Sequence, residues 1–203
     1  MSSYLGALPL AANVCLFNFI TIIFMLPMGI SFSSTALIGI AIGSGEINRA
    51  KKIAMLALAT GASILIITTI LVIIFKDLIP YAYTTEVEVA DLVTSLLKIY
   101  VWFGILDGIQ IILHGVIKGI GKQAIASIIC LVVLYPINIP MAYFFAWPMG
   151  YGLFGLWYSQ IMSILLLIIA YSTILTAYDW KHISDNVIER MTKNKIVAQE
   201  KQA

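Results

Sequence analysis

The sequence predicts an all-α, polytopic transmembrane bundle of about five spans. Three observations carry that prediction. The 203-residue chain is 61% hydrophobic and only 11% charged. With Gly counted and Tyr left out, the apolar share is roughly 63%, against about 45–50% in soluble domains, where charged residues reach about 25%. Mean hydropathy is +1.00, and the apolar residues fall into five long segments. Such a chain cannot cover itself with polar surface. That excludes a soluble globular domain, a disordered chain and a nucleic-acid binder, and makes the lipid bilayer its first partner.

The first segment covers residues 10–42, too long for one straight span at about 1.5 Å per residue. Pro27 and Gly29 lie in its middle, so one long bent helix is expected, with two short spans as the alternative. The second segment covers 53–75, the third 93–120, the fourth 124–147 and the fifth 153–177. Pro136 and Pro140 flank Asn138 in the fourth, where another kink is expected. Residues 1–177 thus form the transmembrane region, and 178–203 a polar tail. Ile183, Val187, Ile188 and Met191 fit one helix face, so an in-plane tail helix is one reading. A solvated, frayed tail is the preferred one. Cys15 and Cys130 lie in apolar stretches and read as unpaired buried thiols.

Loop charges set the orientation. The first connection holds Arg49, Lys51 and Lys52 against Glu46, and the third holds Lys118 and Lys122 with no acid. The tail holds Lys181, Arg190, Lys193, Lys195 and Lys201. The second connection is acidic (Asp77, Glu86, Glu88 and Asp91 against Lys76 and Lys98), and residues 145–152 carry no charge. Basic connections alternate with acidic or neutral ones, so the tail and the first and third connections are expected on the cytoplasmic side. Five spans then put the N-terminus outside, with no basic leader ahead of it. A preceding helix would remove that oddity, which suggests the C-terminal part of a larger protein.

A charge at the bilayer centre is costly and marks a functional candidate. Asp107 is the one acid deep in a span. Helical spacing puts Tyr100, Phe103, Asp107, Gln110, His114 and Lys118 on one stripe. A carboxylate next to an amide and an imidazole suits uptake and release of a proton or cation. Asp107 is therefore the candidate coupling residue, with Gln110 orienting it. The competing reading is a protonated, helix-packing hydrogen bond. His114 reads first as a packed, satisfied histidine, and as a relay only second. Lys118 is expected to snorkel to the surface. Asn13, Asn18, Tyr100 and His114 are candidate cavity-lining residues, although interhelical bonding is the first reading for the two asparagines. Pro27, Gly29, Pro136 and Pro140 are candidate hinges. Small residues recur at packing spacing: Gly39 and Gly43, Ala57 and Gly61, Gly104 and Gly108, Gly115 and Gly119. The motifs of ATP hydrolysis, zinc proteolysis and serine hydrolysis are missing from the sequence, and two histidines and one deep acid do not assemble a metal centre or a triad. No metal and no enzymatic activity are expected.

Three stretches together resemble the multidrug and toxic compound extrusion (MATE) family. GALPLAANVCLFNFITIIFMLPMGISFSSTALIGIAIGSGEINRAKK, residues 6–52, is similar to the family's eighth helix and following loop. LDGIQIILHGVIKGIGKQ, residues 106–123, resembles its tenth helix, with the pattern D-x-x-Q…G-V-x-[RK]-G-x-G-x-Q. YPINIPMAYFFAWPMGYGLFGLWYSQ, residues 135–160, is similar to helices eleven and twelve. The loop at residues 38–45 reads I-G-I-A-I-G-S-G, without the family's usual Asn, which marks a divergent member.

The resemblance implies most of one six-helix lobe of a twelve-helix transporter, here helices eight to twelve. It implies a secondary antiporter exporting organic cations, drugs or metabolites in exchange for H⁺ or Na⁺, with no other cofactor. It matches Asp107 to a tenth-helix aspartate implicated in protonation, while the seventh-helix glutamate that often acts with it has no counterpart here. The expected partners are a small-molecule substrate and a missing N-terminal lobe or second half-transporter. Two alternatives stand beside this reading: a non-transporting truncated subunit or remnant, and a lipid-linked saccharide flippase. The flippase would be expected to carry more cationic residues in its cavity.

Overall fold

The computed structural model describes residues 6–182, together with Tyr4, Ser184, Asp185, Val187 and Glu189. Among the described residues, six α-helices follow one another: α1 (Ala7–Gly43), α2 (Ile47–Phe75), α3 (Val87–Gly119), α4 (Gln123–Val132), α5 (Asn138–Ala146) and α6 (Gly152–Ala177). A π turn, Val133–Ile137, joins α4 to α5, so the two form one span of 24 residues. Five helical segments among the described residues are therefore long and apolar enough to cross a membrane. No strand occurs among the described residues. The chain is an all-α, integral multi-pass membrane protein.

Pro27 does not divide the first segment. α1 runs unbroken for 37 residues with Pro27 buried inside it. Proline removes one backbone hydrogen bond, yet a helix in lipid has no better place for its remaining polar groups than its own ladder. Pro136 and Pro140 act differently. Pro136 lies within the π turn, and Pro140 sits in the first turn of α5, where a missing N–H costs little.

The basic connections are tight because glycine closes each preceding helix. Gly45 (φ +80°) follows α1, with Glu46 N–H donating to Ala41 O at 2.9 Å and Gly45 N–H to Ile42 O at 3.2 Å. Gly121 (φ +78°) follows α3 with the same pair of bonds, from Lys122 to Ile117 O and from Gly121 to Lys118 O. This left-handed closure satisfies orphan carbonyls and favours a residue without a Cβ. The acidic second connection instead carries a short 3₁₀ turn, Pro80–Ala82.

α3 is the hub. It packs on α1, α2, α6 and α4, while α5 packs on α6. Ser31 Oγ of α1 donates to Ile111 O at 2.9 Å, and Thr35 Oγ1 donates to Gly115 O at 2.8 Å. Small residues allow this approach, as their spacing predicts. The outward faces are apolar: Met55 is 73% exposed and Trp102 72%. Lipid is the solvent such faces require.

The start of the tail departs from the expected solvated chain. Trp180 is buried among Ile38, Ala50 and Val116, and Ser184 Oγ donates to Ile42 O at 2.9 Å. Tyr178 packs against the same cluster, under the Lys122 ammonium 4.8 Å from its ring. An aromatic residue just past the span has apolar surface to bury, and the ends of α1 and α2 supply it. Ile183, Ile188, Met191 and the basic residues from Arg190 onward lie outside the described residues.

Candidate functional site

A cavity of about 670 Å³ lies between α1, α3, α5 and α6. That volume falls within the range of small-molecule sites. α1 supplies Asn13, Phe17, Ile20, Thr21, Phe24, Met25 and Met28. α3 supplies Phe103 and Asp107, α5 supplies Asn138, Ile139 and Ala142, and α6 supplies Leu156, Trp157, Ser159 and Gln160. Trp157 organises the aromatic part. Its ring meets Phe103 edge-on at 5.3 Å and Phe17 at 5.7 Å. Phe17 is 54% exposed and Met25 60%, so the cavity opens along the α1 side.

Asp107 is the one ionisable side chain lining this cavity among the described residues. It is half-buried and accepts no hydrogen bond from them. The two hydroxyl groups of the wall are committed to backbone carbonyls. Thr21 Oγ1 donates to Phe17 O at 2.8 Å, and Ser159 Oγ donates to Leu156 O at 2.8 Å. The cavity therefore combines an apolar, aromatic and methionine-rich wall with a single carboxyl group. Such a surface suits an apolar molecule carrying positive charge.

The α3 stripe divides among different environments along its length. Phe103 and Asp107 reach the cavity. Tyr100 does not: it is buried against Phe19 of α1, with ring centroids 6.3 Å apart, and borders a small void beside Leu65 of α2. Gln110 is buried away from the cavity, and no hydrogen bond joins it to Asp107. Three residues around a helix leave an offset of about 60°, enough to turn the amide from the carboxyl group. The orienting role expected of Gln110 thus has no direct bond behind it.

His114 also lies off the cavity, seven residues and about 10 Å along the axis from Asp107. Its Nδ1 is 2.9 Å from Tyr171 Oη, and Tyr171 O–H donates to Ala126 O at 3.2 Å. The direction of the bond between His114 Nδ1 and Tyr171 Oη is set by the imidazole tautomer. This chain of bonds ties α3 to α6 and α4, which agrees with the packed-histidine reading. Lys118 is half-buried near the end of α3. Asn13 lines the cavity, whereas Asn18 is exposed outside it. Five residues turn a helix by about 140°, so the two asparagines cannot share a face.

Two cavity residues escaped the sequence reading. Asn138 figures in the sequence only as the residue between two prolines; its Nδ2 donates to Gln160 Oε1 of α6 at 2.9 Å. Gln160 itself was not singled out. An amide inside an apolar span is the signal that would have found it. Cys15 and Cys130 are free and half-buried. No cluster of three metal-ligating side chains occurs among the described residues.

The fold and the cavity can now be set against known proteins. A family model described as MatE matches residues 1–144. The chain belongs to the MatE family. It is 28% identical over 178 residues to multidrug and toxin extrusion protein 2 of Oryctolagus cuniculus, a match covering 87% of this chain and 30% of that protein. It is 28% identical over 181 residues to multidrug and toxin extrusion protein 1 of Danio rerio, covering 89% and 31%. The crystal structure of the eukaryotic MATE transporter AtDTX14 superposes with a TM-score of 0.83 at 22% identity, covering 90% of this chain and 41% of that one. The last likeness is one of fold. The chain spans 30% and 31% of the length of the two curated MATE relatives. These relatives are extrusion proteins by name.

Proposed function

We propose that this chain is the C-terminal lobe of a secondary antiporter that exports organic cations, drugs or metabolites in exchange for H⁺ or Na⁺. Asp107 is the coupling residue. The observation that carries the reading is the position of Asp107, the one ionisable group among the described residues on the wall of an otherwise uncharged cavity of about 670 Å³. A carboxylate there attracts a cationic substrate, and a proton or Na⁺ competes for the same oxygens. Occupancy of Asp107 biases the lobe between its two access states only through differential affinity for them. The tail and the first and third connections face the cytoplasm. Supporting this, Arg49, Lys51, Lys52, Lys118, Lys122 and Lys181 lie at or next to the helix ends joined by these connections.

The test is Asp107→Asn in membrane vesicles carrying an imposed H⁺ or Na⁺ gradient. Coupled efflux of a fluorescent organic cation is expected to be lost, with membrane insertion unchanged. Efflux equal to that of the unmodified protein would refute the assignment.

A second reading is a subunit that does not transport by itself and pairs with another half-transporter. Phe17 and Met25 favour it, since the cavity they line stays open along α1. An antibody to residues 178–203, used on native membranes, separates the possibilities. A species near twice the mass of this chain means that upstream helices are part of the same polypeptide. A species near 22.3 kDa makes a partner or a dimer necessary for transport.

A further inference from the structure

The fourth span brings a further polar group to the cavity wall. Asn138 is the first residue of α5, directly after the π turn that holds Pro136. Its Nδ2 donates to Gln160 Oε1, and both residues line the same cavity as Asp107. Asn138 Oδ1 is buried without a partner among the described residues. That orphan oxygen decides which way the pair faces. Exchanging O and N in both amides would preserve their mutual bond, but an unpartnered N–H₂ would then be buried in its place. Orphaned buried N–H groups are rarer than under-satisfied oxygens, so the arrangement as found is the favoured one. With its oxygen engaged by Asn138, Gln160 is left with its Nε2 donors. They have no acceptor among the described residues, and the side chain is only half-buried.

The cavity then has two unlike poles, an acceptor at Asp107 and a donor at Gln160. We propose that Gln160 is a specificity-determining residue, donating to a neutral oxygen (carbonyl, ester or ether) on the substrate. Organic cations carrying such an oxygen are preferred over plain alkylammonium ions. Asn138 is a positioning residue that acts through Gln160. This inference rests on the reading of Asp107 as the cation-facing carboxyl group.

The test uses two matched cations: benzoylcholine, and (4-phenylbutyl)trimethylammonium, which replaces the ester by methylenes. Binding is measured by titration calorimetry on the full chain in lipid nanodiscs. The unmodified protein is expected to bind benzoylcholine about fivefold more tightly, the size of one net neutral hydrogen bond. Gln160→Leu is expected to bring that ratio to about one. Far-UV circular dichroism and size-exclusion elution matching those of the unmodified protein show that the variant is folded. Asn138→Ala is expected to move the ratio in the same direction, whereas a merely structural role would shift both affinities together. Asp107→Asn is expected to weaken both cations alike.

Equal affinities in the unmodified protein, or a ratio that survives Gln160→Leu, would overturn the inference and leave the proposed function standing. No effect of Asp107→Asn on either cation would overturn the proposed function, and this inference with it. Failure of the unmodified protein to bind either cation would do the same.

Discussion

Gly115→Ala tests how α1 and α3 are held together. A Cβ on Gly115 would stand 2.6 Å from Ser31 O and 2.9 Å from Ser31 Cα, and closer still to Ser31 Oγ. The first two are backbone atoms and cannot rotate away. Ser31 Oγ is bonded to Ile111 O, and Thr35 Oγ1 to Gly115 O, so separating the helices weakens both bonds. Overpacking of this kind costs about 1–3 kcal/mol. Interhelical hydrogen bonds in membranes average about 0.6 kcal/mol each. Alanine returns about 0.8–1.0 kcal/mol of helix propensity. The expected net loss is about 1–3 kcal/mol. The assay is reversible unfolding in mixed micelles, followed by tryptophan fluorescence. Gly39→Ala is the control, because its Cβ would meet only Gly119 O at an ordinary 3.8 Å. If Gly115→Ala proves as stable as Gly39→Ala, the close crossing of α1 and α3 is not what holds the bundle.

Further substitutions test two contacts away from the cavity. Tyr171→Phe leaves His114 Nδ1 without its partner and is expected to cost about 1–3 kcal/mol in the same unfolding assay. Adding His114→Leu should recover most of that loss, since removing both partners of a buried bond is nearly neutral. Ser184→Ala removes the bond to Ile42 O and should speed amide exchange around residues 179–187 about fivefold, with α3 unaffected.

The architecture was legible because a bilayer demands long apolar runs, and five such runs are written plainly in the chain. The site was legible only in part. Asp107 and Asn13 reach the cavity, while Tyr100, Gln110, His114 and Asn18 do not. Periodicity tells which residues share a face of α3, but not which helix covers that face at each level. Tyr100 meets α1 near α2, Asp107 meets open space, and His114 meets α6. The Asn138–Gln160 bond joins two spans, and spacing within one helix says nothing about it. For the tail, charge spoke for solvent, but Trp180 had more apolar surface to hide than its charged neighbours could keep wet.

Breaks in helical regularity border the cavity. Pro27 has no N–H to offer Ile23 O, and Met25 and Met28 beside it line the wall. The π turn around Pro136 ends at Ile137, and Asn138, directly after it, lines the same cavity. α2 contributes nothing to the cavity and carries no internal proline. Lipid offers no partner for a freed backbone carbonyl, so an interrupted helix is tolerated where protein or a wet cavity covers the interruption. The interrupted helices, α1 and α5, therefore border the cavity, while Asp107 and Gln160 project into it from α3 and α6, which carry no internal proline.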